Sequence, residues 1–151
     1  MQSTKQAIFK LGEAEYGLDI MEVNTIEKFI TIEPVANLPK NLKGVIRLRG
    51  DVIPVYSLRR KFGLEDIQPN DDTRFIITTS NGILIAYEVD QMVEIVPLEP
   101  EQLNEVPSIL LSKETSYLKS LTNIHEGLVI IMNHDGILSE EEQNKIKAIK
   151  K

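Results

Sequence analysis

Cysteine is absent from the 151-residue chain, and with it go disulfides, thiol nucleophiles and thiolate metal sites, which agrees with a reducing compartment. Tryptophan is absent too, and histidine occurs only twice. Neither His125 nor His134 stands in an HExxH string or in a cluster with metal-ligand spacing, so no metal is expected. No apolar run approaches the ~18 residues of a membrane span, and "MQSTKQAIF" lacks the basic stretch and apolar block of a secretory signal; a cytoplasmic protein is expected. Phosphate-cradling glycine strings, G-x-G-x-x-G or P-loop, are missing as well. Positive charge is in deficit, with 17 Lys and Arg against 23 Asp and Glu and a net charge of −6. A field of that sign repels phosphate backbones and argues against nucleic acid as a partner.

What is present is a succession of short aliphatic runs separated by turn residues, within 42 % hydrophobic composition, the pattern of an all-β sandwich or barrel. Ala7, Phe9 and Leu11 alternate into "GEAEYG", which reads as a hairpin. Ile20, Val23 and Ile26 recur every three residues and suit a short helical turn, whereas Ile26 to Ile32 reads as a β-branched strand ended by Pro34 and Pro39. Val45–Leu48 and Val52–Val55 flank Arg49-Gly50-Asp51, with Gly50 supplying the positive φ of a tight turn. One helical turn is expected over Leu58–Phe62. "EDIQPNDD" is the best linker, polar, acidic and near the middle. Phe75–Thr79 and Ile83–Val89 flank Ser80-Asn81-Gly82, a strong hairpin signal, and Gln91–Leu98 continues as a strand. A long irregular connection follows, then Leu121–Ile124 and Leu128–Met132 about His125-Glu126-Gly127. The tail "SEEEQNKIKAIKK" has the serine cap, early acids and late lysines of a helix.

The two halves resemble each other. Phe9 and Phe75 lie 66 residues apart, as do Pro34 and Pro100; "YGLDIMEV" aligns with "GILIAYEV", and "RLRGDVIPVYSL" with "NIHEGLVIIMNHDGIL" at a larger offset. Two similar small barrels would account for this.

Catalytic constellations are thin. The His134-Asp135 neighbours fall in a turn where solvation is the ordinary fate, and no cysteine or motif-bound serine awaits activation. "NDD" and "EEE" occupy a linker and a helix start, where acids belong on physical grounds. Binding has better candidates. Ile20, Val23 and Ile26 could form a stripe for an amphipathic helix, or they could all point into a core; spacing leaves both open. Arg47, Arg49, Arg59, Arg60 and Lys61 form a basic concentration that suits either an acidic partner or a solvated surface. A barrel that senses a small molecule between lobes is the alternative from a different class.

"GVIRLRGDVIPVYSLRRKFGL" resembles the signature of the CheW-like domain family, an apolar strand ending in Leu-Arg-Gly followed by an apolar-Pro-Val strand. "EYGLDIMEV", "DDTRFIIT", "EVDQMVEIVPL" and "YLKSLTNIHEGLVIIMN" resemble further family segments in the same order, from about Gln6 to Leu138. The resemblance implies an all-β fold of two five-stranded SH3/OB-like barrels side by side, with short helices and a C-terminal helix. It implies one domain over residues 1–151, with a lobe change near 65–73 and room for strands exchanged between lobes. It also implies a chemotaxis adaptor without catalytic activity or cofactor, coupling chemoreceptor cytoplasmic tips to the histidine kinase CheA through the kinase's regulatory domain, in arrays at the inner face of the membrane. Under the resemblance Ile20, Val23, Gly44 and Arg49 are receptor-binding candidates, and Arg47, Thr25 and Ile26 candidates for partner contacts. Four positions depart from the family pattern and leave room for the other alternative, a divergent adaptor of this family serving another chemosensory system. Thr25 stands where a glutamate able to pair with Arg49 is common, Arg47 where asparagine is common, and Ala86 and Glu88 where glycine and an apolar residue are usual.

Overall fold

A computed structural model describes residues 4–80, 82–112, 114–124 and 127–149. Ten strands form two five-stranded sheets: β1 (Thr4–Leu11), β2 (Ala14–Asp19), β3 (Val23–Lys28), β4 (Leu42–Leu48), β5 (Asp51–Ser57), β6 (Arg74–Ser80), β7 (Ile83–Val89), β8 (Gln91–Leu98), β9 (Leu118–Ile124) and β10 (Gly127–Met132). Helices are few, the short α1 (Leu58–Lys61), the C-terminal α2 (Glu140–Ile149) and four 3₁₀ turns among the described residues. The sheet orders are β8-β1-β2-β10-β9 and β3-β6-β7-β5-β4. Among the described residues no ladder joins the outer strands of either sheet, so the expected barrels are sheets whose rims nearly meet. Among the described residues one bridge spans each gap: Glu33 pairs with Val45 of β4, and Asn104 with Leu121 of β9.

Both sheets repeat one plan, and each takes strands from both sides of the central linker. The first hairpin closes at Leu11–Ala14 in one half and Ser80–Ile83 in the other, an offset of 69. The second closes at Leu48–Asp51 and Ile124–Gly127, an offset of 76. Even the irregularities repeat: Asn24 and Val93 are the extra residues of matching β-bulges. The offset of 66 expected from Phe9 and Phe75 is therefore corrected by three residues. An odd shift exchanges the faces of a strand, and the two rings indeed occupy different cores, Phe9 in the one shared by the sheets and Phe75 in the one inside its own sheet.

Those cores explain the near-continuous aliphatic runs, since strands covered on both faces cannot alternate with polar residues. The shared core holds Phe9, Leu18, Tyr56, Ile76, Tyr87 and Met132, sealed at one end by Ile146 of α2. Helix α2 is fixed by a capping box in which Ser139 Oγ accepts from the Glu142 N–H (3.1 Å) and Glu142 Oε1 accepts from the Ser139 N–H (2.9 Å). The same carboxylate, buried at 7 % exposure, accepts from Tyr56 Oη at 2.9 Å and from Asn41 Nδ2 at 3.0 Å. Burial first, then the Glu142 charge, pushes the Tyr56 phenol far above its ordinary value.

Two expectations about elements need correction. The strand read over Ile26–Ile32 begins at Val23 and ends at Lys28. The periodicity of three has two origins: a 3₁₀ turn over Ile20–Glu22, then the bulge at Asn24, which puts Val23 and Ile26 on one face although their positions differ by three. Strand β9 also starts at Leu118, inside the connection read as irregular. Asn81, at the predicted Asn-Gly turn, lies outside the described residues, as does His125. No helix of the described residues is long and apolar enough to cross a membrane.

Candidate functional site

The β4–β5 turn is built from two consecutive residues with positive φ, Arg49 at 48° and Gly50 at 86°. That is the tight hairpin turn whose twist matches its strands, and it favours Asn or Gly at both central positions. Glycine adopts the conformation freely; arginine does so at a cost of order 1 kcal/mol. The turn aims a guanidinium that is 67 % exposed at Glu27 of β3, with Nη1 to Oε2 at 3.1 Å. Thr25 and Glu27 share a strand face by the period of two. The Thr25 hydroxyl first, and then Arg49, holds the Glu27 carboxyl below the usual carboxylate range. The acid that meets Arg49 therefore stands two residues beyond Thr25, whose hydroxyl supports it. Periodicity alone could have found Glu27.

Beneath this pair lies an open cleft of about 200 Å³, with a floor of Leu48, Ile53, Ile77 and Leu84 and a rim that includes Thr25 and Arg49. The other candidates lie apart from it. Val23 and Ile26 are partly buried and pack against the shared core. Ile20 is half-exposed on the 3₁₀ turn, beside Met21, which is 87 % exposed and which sequence reasoning passed over. Gly44 and Arg47 belong to the rim closure. Arg47 pairs with Glu33 (Nε to Oε2, 2.7 Å), the residue that bridges β4. Gly44 has a φ of 147°, and a Cβ there would lie 2.2 Å from the Glu33 carbonyl oxygen, so this glycine lets the bridging segment approach.

The basic concentration is individually partnered. Beyond Arg47 and Arg49, Arg59 meets Asp90, Arg60 meets Asp66 (both 2.7 Å), and Lys61 lies over the Tyr117 ring at 5.5 Å. Two of the unusual positions also gain a reason. Glu88, poorly exposed, is met by Lys43 at 2.7 Å, and Ala86 packs inside its own sheet. His134 departs from the expected solvated turn: its side chain is 11 % exposed, against Glu22. No cluster of three or more metal-ligating side chains occurs among the described residues.

Comparison with known proteins agrees with this architecture over nearly the full chain. A family model, the CheW-like domain, matches residues 6–142. Chemotaxis protein CheW of Klebsiella aerogenes is 31 % identical over 144 residues, covering 95 % of this chain and 87 % of that protein. Its namesake in Helicobacter pylori is 30 % identical over 133 residues, covering 88 % and 80 %. The crystal structure of the scaffolding protein TtCheW from Thermoanaerobacter tengcongensis superposes with a TM-score of 0.82 at 26 % identity, covering 94 % of this chain and 92 % of that one.

Proposed function

Because the chain belongs to the CheW-like domain family and is a chemotaxis scaffold or adaptor, we propose that it couples chemoreceptor cytoplasmic tips to the regulatory domain of the histidine kinase CheA, without catalysis, at the inner face of the membrane. The receptor side of this coupling is Arg49 together with the Ile20–Val23 segment. The observation that carries the reading is the backbone of Arg49. A non-glycine residue with positive φ at an exposed turn is a conformation the fold alone would give to Asn or Gly, and what it achieves is a guanidinium presented from a rigid hairpin tip. Such a group offers a planar donor fork to carboxylates or carbonyls of a docking helix, while Ile20, Met21 and the exposed part of Val23 offer apolar area worth on the order of 1.5 to 3 kcal/mol per fully buried side chain. Individually these terms are small, so array stability comes from many contacts acting together.

The cleft at Arg49 is smaller than the ~300 Å³ at which small-molecule sites usually begin, which at this cleft favours a protein partner over a metabolite. The test is copurification of the wild type and Arg49→Glu with a soluble receptor-tip hairpin and with the CheA regulatory domain. The wild type binds both without added small molecule, and Arg49→Glu loses the hairpin but keeps the kinase domain. Failure of the wild type to capture either would end this reading.

A further inference from the structure

Where the chain leaves β10 it enters a 3₁₀ turn over His134–Gly136, and there the His134 imidazole turns inward. Glu22 Oε2 lies against Nδ1. Nε2 faces the main-chain oxygen of Thr79 at 3.3 Å, with Asp135 Oδ1 at 3.4 Å. The ring thus sits between the Glu22 carboxylate and the Thr79 oxygen, the first a close charge contact without hydrogen-bond geometry and the second a hydrogen-bond contact. Glu22 ends the 3₁₀ turn that hands the chain from the first sheet to β3 of the second. Thr79 stands near the end of β6, where β3 begins its pairing, and its hydroxyl accepts from Asn24 Nδ2 at 2.8 Å. One side chain from the end of a hairpin in the first sheet therefore links the end of the crossover to β6 of the second sheet, and the segment beside that link carries Ile20, Met21 and Val23.

The internal repeat gives this corner a counterpart. The 76-residue offset maps His134 onto Leu58, a residue buried to 0 % exposure in the shared core, and the 69-residue offset maps Glu22 onto Gln91. The repeat-related corner has a hydrocarbon at this position, and the neighbouring residues Arg59 and Asp90 supply the ion pair that ties it. A histidine facing a carboxylate is therefore particular to the corner that carries the docking segment, whereas the other corner is tied by an arginine–aspartate pair.

We infer that His134 is a positioning residue for receptor docking: through Glu22 and the Thr79 carbonyl it holds the Ile20–Val23 segment in the arrangement the receptor hairpin meets. The inference rests on the adaptor reading above and adds a residue that touches no partner.

The experiment uses the full chain, with His134→Leu, which installs the side chain of the repeat-related position, and Glu22→Gln, which keeps the shape and removes the charge. Amide hydrogen exchange is measured across residues 20–24 in the free protein, and Kd is measured for a soluble receptor-tip hairpin and for the CheA regulatory domain. Exchange at residues 20–24 accelerates by about tenfold in both variants, the signature of about 1.4 kcal/mol less local stability. The Kd for the hairpin rises by about fivefold or more, while that for the kinase domain stays within about twofold. Unchanged exchange in both variants overturns the link, and faster exchange with an unchanged hairpin Kd overturns its positioning role. An equal loss toward both partners overturns it as a global effect. Absence of hairpin binding by the wild type sinks the adaptor reading and the docking role with it, an outcome recognised because it appears before any substitution.

Discussion

Arg59 and Asp90 meet side by side, with Nε to Oδ1 at 2.8 Å and Nη2 to Oδ2 at 2.7 Å, each side chain less than a fifth exposed. The pair ties α1, after β5, to the turn between β7 and β8. Asp90 Oδ2 also accepts from the Gly12 N–H at 2.7 Å, so the first hairpin is held by the same carboxylate. Burial alone would raise the Asp90 carboxyl; the hydrogen bonds from Arg59 and Gly12 and the Arg59 charge outweigh it and hold the group below its ordinary range.

Asp90→Asn should cost about 2 to 3 kcal/mol, somewhat less than the loss of one partner from a fully buried pair. Its pH dependence has a definite sign. With the folded carboxyl depressed, the stabilisation is fully present above the unfolded value of about 3.9 and disappears as pH falls through the folded value. Thermal unfolding at pH 7 and pH 3 checks both parts: the wild type loses Tm across that interval by a larger amount than Asp90→Asn does. Equal losses would remove Asp90 from the account of acid sensitivity.

Gly44 and Gly50 form a matched comparison. A Cβ on Gly44 meets the Glu33 carbonyl oxygen at 2.2 Å, while one on Gly50 has nothing within 4 Å. Gly44→Ala should cost roughly 2 to 4 kcal/mol through displacement of the rim bridge; Gly50→Ala, which carries only the penalty of positive φ, about 1 kcal/mol. Denaturant midpoints rank the two, and a reversed ranking would show that the bridging segment yields easily.

The Arg49–Glu27 contact separates stability from recognition. Both groups are near the surface, and such pairs contribute about 1 kcal/mol at most, so Arg49→Glu should leave Tm almost unaltered while hairpin capture is lost. The charge exchange Arg49→Glu with Glu27→Arg restores the pair without restoring capture, since the guanidinium then stands on β3. Recovery of capture by the exchanged protein would mean that Arg49 acts only by holding Glu27.

Ile20 and Val23 differ in the same way. Val23 packs partly against the shared core, so Val23→Asp should lower stability by about 2 kcal/mol and confound any binding result. Ile20→Asp, on the half-exposed turn, should change stability by less than about 1 kcal/mol and weaken hairpin binding selectively. Calorimetric melting and titration of each variant distinguish them.

Much of this fold is legible locally. Gly50 marks its hairpin because tight turns demand positive φ, and the Ser139–Glu142 capping box announces α2. The aliphatic runs at Phe75 and Ile83 declare strands but hide the face each residue occupies, because burial on both sides erases alternation; that is how an offset of 66 could pass for 69. The bulge at Asn24 is invisible in the same way and makes a strand look helical. Partnerships are hardest to read. Glu27 lies 22 residues from Arg49 and Glu22 lies 112 from His134, and nothing near either acid in the sequence names the cation or ring it will meet.

The interleaving of the two halves has a consequence for synthesis and for motion. When a ribosome has released only the residues ahead of the linker, no sheet has its full complement of strands, so burial of the edges must wait for the rest of the chain to emerge. Once assembled, the sheets cannot swing apart like beads on a thread, because two chain crossings and a common interior bind them.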